Sequence, residues 1–161
     1  MVKFIQKEEE KGRIADFVLK SLPEWFGVPE SVCEYVKGVR SMPFWAEFTD
    51  GEAVGFIAMK ETSRHTAEIY VMGVLEGFQG RGIGKRLFGE LYSYAGMKAY
   101  SFLQVKTVQK GCYESYDRTN TFYEGLGFKE LECFPSLWDE SNPCQIYIME
   151  VDLRKSIMSK G

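Results

Sequence analysis

The sequence predicts an α+β fold in which a mixed, mostly antiparallel central sheet of about seven strands is flanked by about four helices. Four segments carry apolar residues at helical spacing, and seven shorter segments have the pattern of strands. Their order, β-α-α-β-β-β-α-β-α-β-β, is typical of a sheet with helices on its faces. With 161 residues the chain is long enough for one well-packed core and short for two, so we expect a single domain over residues 1–161.

The first part of the chain predicts one strand and two helices. A short strand covers Lys3–Gln6. Apolar residues then recur three and four positions apart through Lys11–Leu22, which predicts a helix that ends before Pro23. Pro29 can begin a second helix, because proline is favoured in the first helical turn, and this helix continues to Val39.

Three strands come next and should pair consecutively as an antiparallel set. Asp50-Gly51 predicts a tight hairpin between the first two, because glycine tolerates positive φ. The third is apolar at most positions and should lie centrally in the sheet. The three predicted strands are Phe44–Thr49, Glu52–Lys60 and Thr66–Val74.

The second half of the chain predicts two helices and three strands. The first helix runs from about Gly84 to Tyr100, and the second, at Arg118–Gly125, follows a loop at Lys110–Tyr116. A connection is expected between Pro135 and Pro143. The strands are Phe102–Thr107, Phe128–Phe134 and Gln145–Leu153.

Composition excludes several classes of function. A net charge of -3 speaks against a surface that coats nucleic acid, which needs a basic excess. The four cysteines are widely spaced and His65 is the one histidine, so no metal site is expected. No apolar run approaches the roughly 20 residues of a membrane span, and the first residues lack the pattern of a signal peptide. We therefore expect a cytoplasmic protein with free thiols and no membrane partner.

A glycine-rich turn, Gln79-Gly80-Arg81-Gly82-Ile83-Gly84, joins a predicted strand to a predicted helix. Such a turn lets backbone N–H groups converge, and the helix adds its unpaired amides and positive dipole end, which suits a phosphate. Neither the P-loop nor the GxGxxG pattern fits these residues. Arg81, Lys85 and Arg86 place three cations where the dipole disfavours them unless an anion binds. A tight turn without a ligand remains the alternative.

The pattern Q-x-x-G-x-G, carried by Gln79, Gly82 and Gly84, resembles the coenzyme A turn of the GNAT N-acetyltransferase superfamily. The resemblance implies that the amides of this turn hold the pyrophosphate of coenzyme A and that the preceding strand binds the pantetheine arm through its backbone. Acetyl-CoA is then the co-substrate. The implied coenzyme residues are Met72, Val74, Gln79, Gly80, Arg81, Gly82, Ile83, Gly84 and Lys85.

A second block, ending in F-Y-x-x-L-G-F at Phe122–Phe128, is similar to the helix-to-strand signature of the same family. The resemblance implies that Tyr123 protonates the departing thiolate, and a phenol of pKa about 10 can donate to a thiolate of pKa about 8.5. Alternatively, Tyr123 is a packing aromatic. The asparagine that the family commonly carries seven residues earlier is replaced by Tyr116, and Asn120 falls elsewhere.

The attacking amine must lose a proton, which costs a lysine-like amine roughly 4–5 kcal/mol at pH 7. Glu68 is the candidate base, because strand alternation places Glu68, Tyr70, Met72 and Val74 on one face. Pairing of Glu68 with a nearby cation is the alternative reading. Glu61 and His65 are weaker candidates, and no serine or cysteine has the context of an activated nucleophile.

The sequence thus predicts an N-acetyltransferase in which a primary amine of a small molecule or peptide attacks acetyl-CoA directly, with a backbone amide near Val74 polarising the carbonyl. A non-catalytic acyl-CoA-binding module is the alternative, a nucleic-acid-binding domain is a remoter one, and a homodimer is left open. The acceptor is not specified. Aromatic residues could line a pocket for an amine with an apolar body, or acidic residues could attract a cation. These residues are Trp25, Phe26, Tyr35, Phe44 and Trp45, and Glu24, Glu30, Glu34 and Glu47.

Overall fold

The computed structural model describes residues 1–152 and shows one seven-stranded sheet in the order β1-β2-β3-β4-β5-β7-β6. Four helices flank it, so the predicted α+β class and element order are confirmed. The strands are β1 (Val2–Phe4), β2 (Phe44–Thr49), β3 (Glu52–Glu61), β4 (Thr66–Val74), β5 (Phe102–Val108), β6 (Lys129–Asp139) and β7 (Asn142–Glu150). The helices are α1 (Glu8–Lys20), α2 (Pro29–Val39), α3 (Ile83–Met97) and α4 (Glu114–Leu126).

Every neighbouring pair of strands is antiparallel except β4 and β5. That parallel pair is short, because it runs only from Thr66↔Phe102 to Ile69↔Val105. β4 is the fourth strand of seven, which confirms its predicted central position. The hairpin at Asp50-Gly51 is also confirmed, with φ of 52° and 82° at the two residues.

Two apolar clusters lie on opposite faces of the sheet. One face is covered by α1 and α2, whose buried residues pack on β2, β3 and β4. The other is covered by α3 and α4, which pack on the same central strands and on β5 and β7. We call these the α1 face and the α3 face. In this arrangement β4 has a helical layer above and below it.

Helix boundaries differ from the prediction where acidic residues begin a helix. α1 begins at Glu8 rather than Lys11, and α4 begins at Glu114 rather than Arg118, so the last residues of the predicted loop at Lys110–Tyr116 are helical. Carboxylates in a first turn interact favourably with the helix dipole. α3 runs from Ile83 to Met97, so it begins one residue earlier and ends three residues earlier than predicted.

The connection predicted between Pro135 and Pro143 is wrong. β6 continues to Asp139 and β7 begins at Asn142, so the turn is short and is closed by Asp139 Oδ1, which accepts a hydrogen bond from the Ser141 amide at 2.9 Å. β6 is exposed along nearly its whole length and therefore lacks the alternation that reveals a half-buried strand. The predicted strand end at Leu153 lies outside the described residues.

Two findings concern possible membrane and metal binding. In residues 1–152, no helix is both long enough and apolar enough to span a bilayer. Within the same part of the chain, no group of three or more His, Cys, Asp or Glu side chains is arranged to hold a metal ion.

Candidate active site

A cleft of about 670 Å³ opens where β4 and β5 part. The two strands pair as far as Ile69 and Val105, and the cleft is lined by the residues that follow them, 69–74 and 105–108. Its other walls come from the glycine-rich turn, from α4 and from the loop between α1 and α2. The cleft therefore brings together both sequence motifs and the aromatic loop at Trp25 and Phe26.

A β-bulge at Tyr70 changes which face the residues of β4 point to. Ala58 pairs with Val71 and Met59 pairs with Ile69, so Tyr70 is an extra residue in β4. Met72 packs with the α3-face cluster, whereas Tyr70 packs with the α1-face cluster. The prediction that Glu68, Tyr70, Met72 and Val74 share one face is therefore wrong, because the bulge interrupts the alternation on which it rested.

The glycine-rich turn has the backbone conformation that its glycines predict. Gly80 and Gly82 have φ of 79° and 81°, a region that side chains disfavour, and a Cβ at Gly80 would meet no atom within 4 Å. α3 begins at Ile83, so its first amides, which have no carbonyl partner within the helix, lie at this turn. Gly84 is needed for a different reason, because a Cβ there would lie 3.0 Å from the Phe122 ring of α4.

The three cations at the start of α3 have different surroundings. Arg86 is paired with the buried Glu47. The Nε and Nη2 atoms of Arg86 donate hydrogen bonds to Glu47 Oε1 at 3.1 Å and 2.5 Å. Arg81 lies over the Phe78 ring at 5.0 Å. Lys85 lines the cleft. The expectation that all three cations are placed for an anion is therefore wrong for Arg86, because Arg86 is paired with a carboxylate of the protein itself.

Glu47 is part of the core rather than an acceptor-binding residue. Burial favours its protonated form, but hydrogen bonds from the amino group of Met1 and from Arg86 outweigh that effect and hold the pKa of the Glu47 carboxyl below its usual value. Phe44 and Trp45 on the same strand are likewise buried in the core, and neither lines the cleft.

Gln79 contributes its side chain to the end of β4. Its Nε2 donates a hydrogen bond to the Val74 carbonyl at 2.9 Å, across the short 3₁₀ turn at Glu76–Phe78. Because Val74 is the last residue of β4, this bond fixes the angle at which the strand enters the turn. A glutamine in this position therefore has a structural reason in addition to its backbone amide.

Tyr123 is both a packing aromatic and a residue of the cleft wall. Its ring lies 5.9 Å from the Phe128 ring and 6.3 Å from the Tyr147 ring, and 6% of the residue is exposed. Burial raises the pKa of the Tyr123 phenol far above its ordinary value, with smaller contributions from Tyr116 and Tyr35. The phenol is therefore protonated, as a proton donor must be, throughout the physiological range.

Glu68 is buried and already paired. Its Oε1 accepts a hydrogen bond from Gln104 Nε2 at 3.0 Å and lies 3.4 Å from Lys106 Nζ. Lys106 lines the cleft, whereas Glu68 does not. Of the weaker candidates, Glu61 accepts a hydrogen bond from the Tyr100 hydroxyl at 2.6 Å, and His65 is exposed in a loop.

The loop between α1 and α2 is fastened to α4 across the cleft. Trp25 Nε1 lies 3.0 Å from Thr119 Oγ1 and 3.2 Å from the Ser115 carbonyl. The Tyr116 hydroxyl donates to the Trp25 carbonyl at 2.7 Å, and the Arg118 guanidinium lies over the indole at 5.5 Å. We call this set of contacts the clasp. Tyr116, where the family commonly has asparagine, thus bonds the α1–α2 loop to α4 at the cleft wall.

Two buried polar residues were not anticipated from the sequence. Asn120 is completely buried and joins α4 to two strands, because its Nδ2 donates to the Val108 carbonyl at 2.9 Å and its Oδ1 lies 2.6 Å from the Tyr147 hydroxyl. Thr107 lines the cleft, and its buried Oγ1 has no hydrogen-bond partner among residues 1–152. In the sequence Thr107 stands between Lys106 and Val108 in a strand that alternates polar and apolar residues, so nothing marks it as buried.

Comparisons with known proteins agree on the fold. The chain is similar to a protein assigned to the GNAT acetyltransferases from Desulfovibrio desulfuricans, with 18% identity, a TM-score of 0.81 and coverage of 94% of this chain and 100% of that one. An aminoglycoside 6'-N-acetyltransferase complexed with coenzyme A is 18% identical, with a TM-score of 0.74 and coverage of 94% of this chain and 97% of that one. Ard1 from Thermoplasma volcanium is 19% identical, with a TM-score of 0.72 and coverage of 94% of this chain and 97% of that one. No curated protein matched the sequence.

The family assignment rests on the sequence between α2 and β6. The profile described as an acetyltransferase (GNAT) domain matches residues 40–130, more than half of the chain. That stretch contains the parting strands, the glycine-rich turn and the tyrosine of α4, which are the parts that build the cleft. The chain belongs to the GNAT acetyltransferase family.

Proposed function

We propose that this protein, acting as one domain over residues 1–161, is an acetyl-CoA-dependent N-acetyltransferase in which a primary amine attacks the acetyl group directly. The observation that carries the proposal is the cleft between β4 and β5. It is continuous from the glycine-rich turn to the aromatic loop, and Tyr123 lies in its wall. Acetyl-CoA would supply the activated acetyl group as a thioester.

The coenzyme residues we propose are those that the sequence motif marks. Gly80 and Gly82 both adopt left-handed conformations at the start of α3, with open space beside Gly80, and Lys85 adds a cation that lines the cleft. An anion is stabilised at such a helix start by the amides and the dipole. Met72 and Val74 would bind the pantetheine arm through their backbone, since β4 has no hydrogen-bonded neighbour on its β5 side after Ile69. The full set is Met72, Val74, Gln79, Gly80, Arg81, Gly82, Ile83, Gly84 and Lys85.

Tyr123 is the proposed acid. Its phenol is neutral because burial raises its pKa, and among the described residues no hydrogen bond engages its hydroxyl. A neutral phenol at the cleft wall can give a proton to a thiolate as the C–S bond breaks.

Glu68 is the proposed base, acting through an intervening water. Its carboxylate is buried beside Lys106, which lines the cleft, so the carboxylate lies one side chain behind the cleft surface. Lys106 Nζ lies 3.4 Å from Glu68 Oε1 and so connects the carboxylate to the cleft wall. No covalent acyl-enzyme is required, because the cleft can hold an amine and a thioester together.

The experiment combines binding with turnover. Calorimetry with coenzyme A tests the cleft, and release of free thiol from acetyl-CoA in the presence of a panel of primary amines tests transfer. We expect coenzyme binding that weakens in a Gly80→Val variant and amine-dependent thiol release. Binding without release for any amine would instead support a non-catalytic acyl-CoA-binding module.

A further inference from the structure

The end of the cleft at the α1–α2 loop is walled by aromatic rings from four different elements. Trp25 and Phe26 come from the loop, Tyr35 from α2, Tyr70 from β4 and Tyr116 from α4, and all five line the cleft. We call these five residues the aromatic cluster. Such a concentration of rings in a cavity wall provides apolar area together with a few fixed polar atoms, which suits a small molecule.

The rings of the aromatic cluster hold one another in place. Phe26 meets Tyr35 edge-on with centroids 5.9 Å apart, and Tyr35 meets Tyr70 in the same way at 5.3 Å. The Tyr70 hydroxyl lies over Gly38 of α2, where a Cβ would be only 2.7 Å from it. Gly38 therefore creates the space that Tyr70 occupies, and the wall is built before any ligand arrives.

Two of the four polar side-chain atoms of the aromatic cluster are hydrogen-bonded to other described residues of the protein. The indole N–H of Trp25 is bonded to α4, and the Tyr116 hydroxyl is bonded to the Trp25 carbonyl. Burial raises the pKa of the phenols of Tyr35, Tyr70 and Tyr116, in the last case to about 12, so all three are neutral. What remains for a ligand is ring surface together with the neutral hydroxyls of Tyr35 and Tyr70.

Two of the cations around the aromatic cluster are paired with carboxylates, and a third, Lys60, lies over the Tyr70 ring at 5.6 Å. Lys106 is paired with Glu68 at 3.4 Å, and Arg118 is paired with Glu24 at 3.3 Å while it covers the indole. In the described part of the chain, no carboxylate side chain lines the cleft. A polyamine would find no row of acids there, and an acceptor carboxylate would find Lys106 and Arg118 already paired.

We propose that the acceptor is a primary monoamine whose remaining body is aromatic or otherwise apolar, and that the aromatic cluster is the pocket that selects it. The inference rests on the proposed acetyl transfer, because it names the acceptor for that reaction. The apolar body enters between the loop and β4, and the amine is directed toward the parting of β4 and β5. The clasp closes the pocket on the α4 side and so limits the size of the body.

The test measures binding, so that it does not depend on turnover. Calorimetry titrates 2-phenylethylamine, ethanolamine and 1,4-diaminobutane into the protein saturated with coenzyme A. We expect 2-phenylethylamine to bind at least about 10-fold more tightly than either hydrophilic amine, the discrimination that an apolar pocket gives. Equal affinity for the three amines, or no measurable affinity for the aromatic one, overturns the proposal. Absence of acetyl transfer despite selective binding would count against the proposed function instead.

A variant and its matched control locate the pocket. Phe26→Ala should weaken the binding of 2-phenylethylamine by about 5-fold or more and leave the Kd of coenzyme A unchanged, which also shows that the variant is folded. Phe17→Ala removes a phenylalanine that is 51% exposed on α1 and does not line the cleft, so it should change neither affinity. Equal effects of the two substitutions would contradict the assignment of the pocket.

Discussion

The indole N–H of Trp25 donates to Thr119 Oγ1 at 3.0 Å across 94 residues of chain. The same N–H also donates to the Ser115 carbonyl, and the Trp25 carbonyl accepts a hydrogen bond from the Tyr116 hydroxyl. One residue of the α1–α2 loop is thus bonded to a whole turn of α4. These contacts join the loop firmly to the helix, although the loop precedes the stretch that matches the family profile, residues 40–130, and the helix lies within it.

The Trp25–Thr119 bond should have a measurable coupling energy. Trp25→Phe and Thr119→Val each remove one partner, and a double-mutant cycle in urea isolates the pair from the other losses. We expect a coupling of about 0.5–1.5 kcal/mol, the range for a net hydrogen bond. Additive effects of the two substitutions would show that the bond contributes nothing to the clasp.

Tyr123→Phe should reduce kcat about 100-fold, because it removes the proposed acid while retaining the ring that packs on Phe128. The Kd of coenzyme A should stay within twofold of the parent value. Tyr94→Phe is the matched control, since Tyr94 packs against Phe4 and Trp45 and does not line the cleft. Retention of full turnover in Tyr123→Phe would eliminate the residue as the acid.

Glu68→Gln should abolish the acidic limb of the profile of kcat/KM against pH. A carboxylate that accepts the amine proton must be ionised, so the parent enzyme loses activity as this group is protonated at low pH. Glu61→Gln, whose partner is the Tyr100 hydroxyl, should retain that limb. If the Glu68→Gln profile kept the same shape, the base would have to be another group.

Thr107→Val should stabilise the protein. The Thr107 hydroxyl is buried without a partner within residues 1–152, and replacing it with a methyl group of similar shape removes an uncompensated desolvation cost. We expect the free energy of unfolding to rise by about 1 kcal/mol, measured by urea denaturation. A fall in stability would mean that a buried water satisfies this hydroxyl. Val105→Thr would be the converse experiment in the same strand.

Stability should decline at alkaline pH because of the buried phenols. Burial raises the pKa of Tyr35, Tyr70, Tyr116, Tyr123 and Tyr147 above the unfolded value of about 10. Such groups bind their protons more tightly in the folded state, so their contribution is complete below pH 10 and is lost as the pH rises toward the folded pKa values. Urea midpoints at pH 8, 10 and 11 should therefore fall only above pH 10, and less steeply in Tyr123→Phe.

The sequence was sufficient for the order of elements and for the central strand, because these depend on periodicity that can be seen over several residues. β2 and β4 begin and end where the pattern predicted. The bulge at Tyr70 was not visible, since it adds one residue without changing the composition of β4. Its consequence for the candidate site is direct, because it separates Glu68 from the face that Met72 occupies.

Long-range pairing explains the other differences. Arg86 has the same local context as Lys85, and only the tertiary structure shows that a buried carboxylate 39 residues away binds it. The length of β6 was missed because its side chains are exposed on both sides, so pairing with β7 rather than burial determines its extent. The motifs marked where a ligand would lie, whereas the pocket that would select an acceptor is assembled from four elements that no short pattern joins.

The brief pairing of β4 with β5 has one further consequence. A longer ladder would satisfy more backbone groups and would make the two halves of the sheet a single continuous layer, with a gain in stability. The two strands instead stop pairing after Ile69, and this leaves a gap between them in the middle of the sheet. A substitution that extended the β4–β5 pairing would therefore give a more stable protein that lacks the cleft in which we propose the substrates bind.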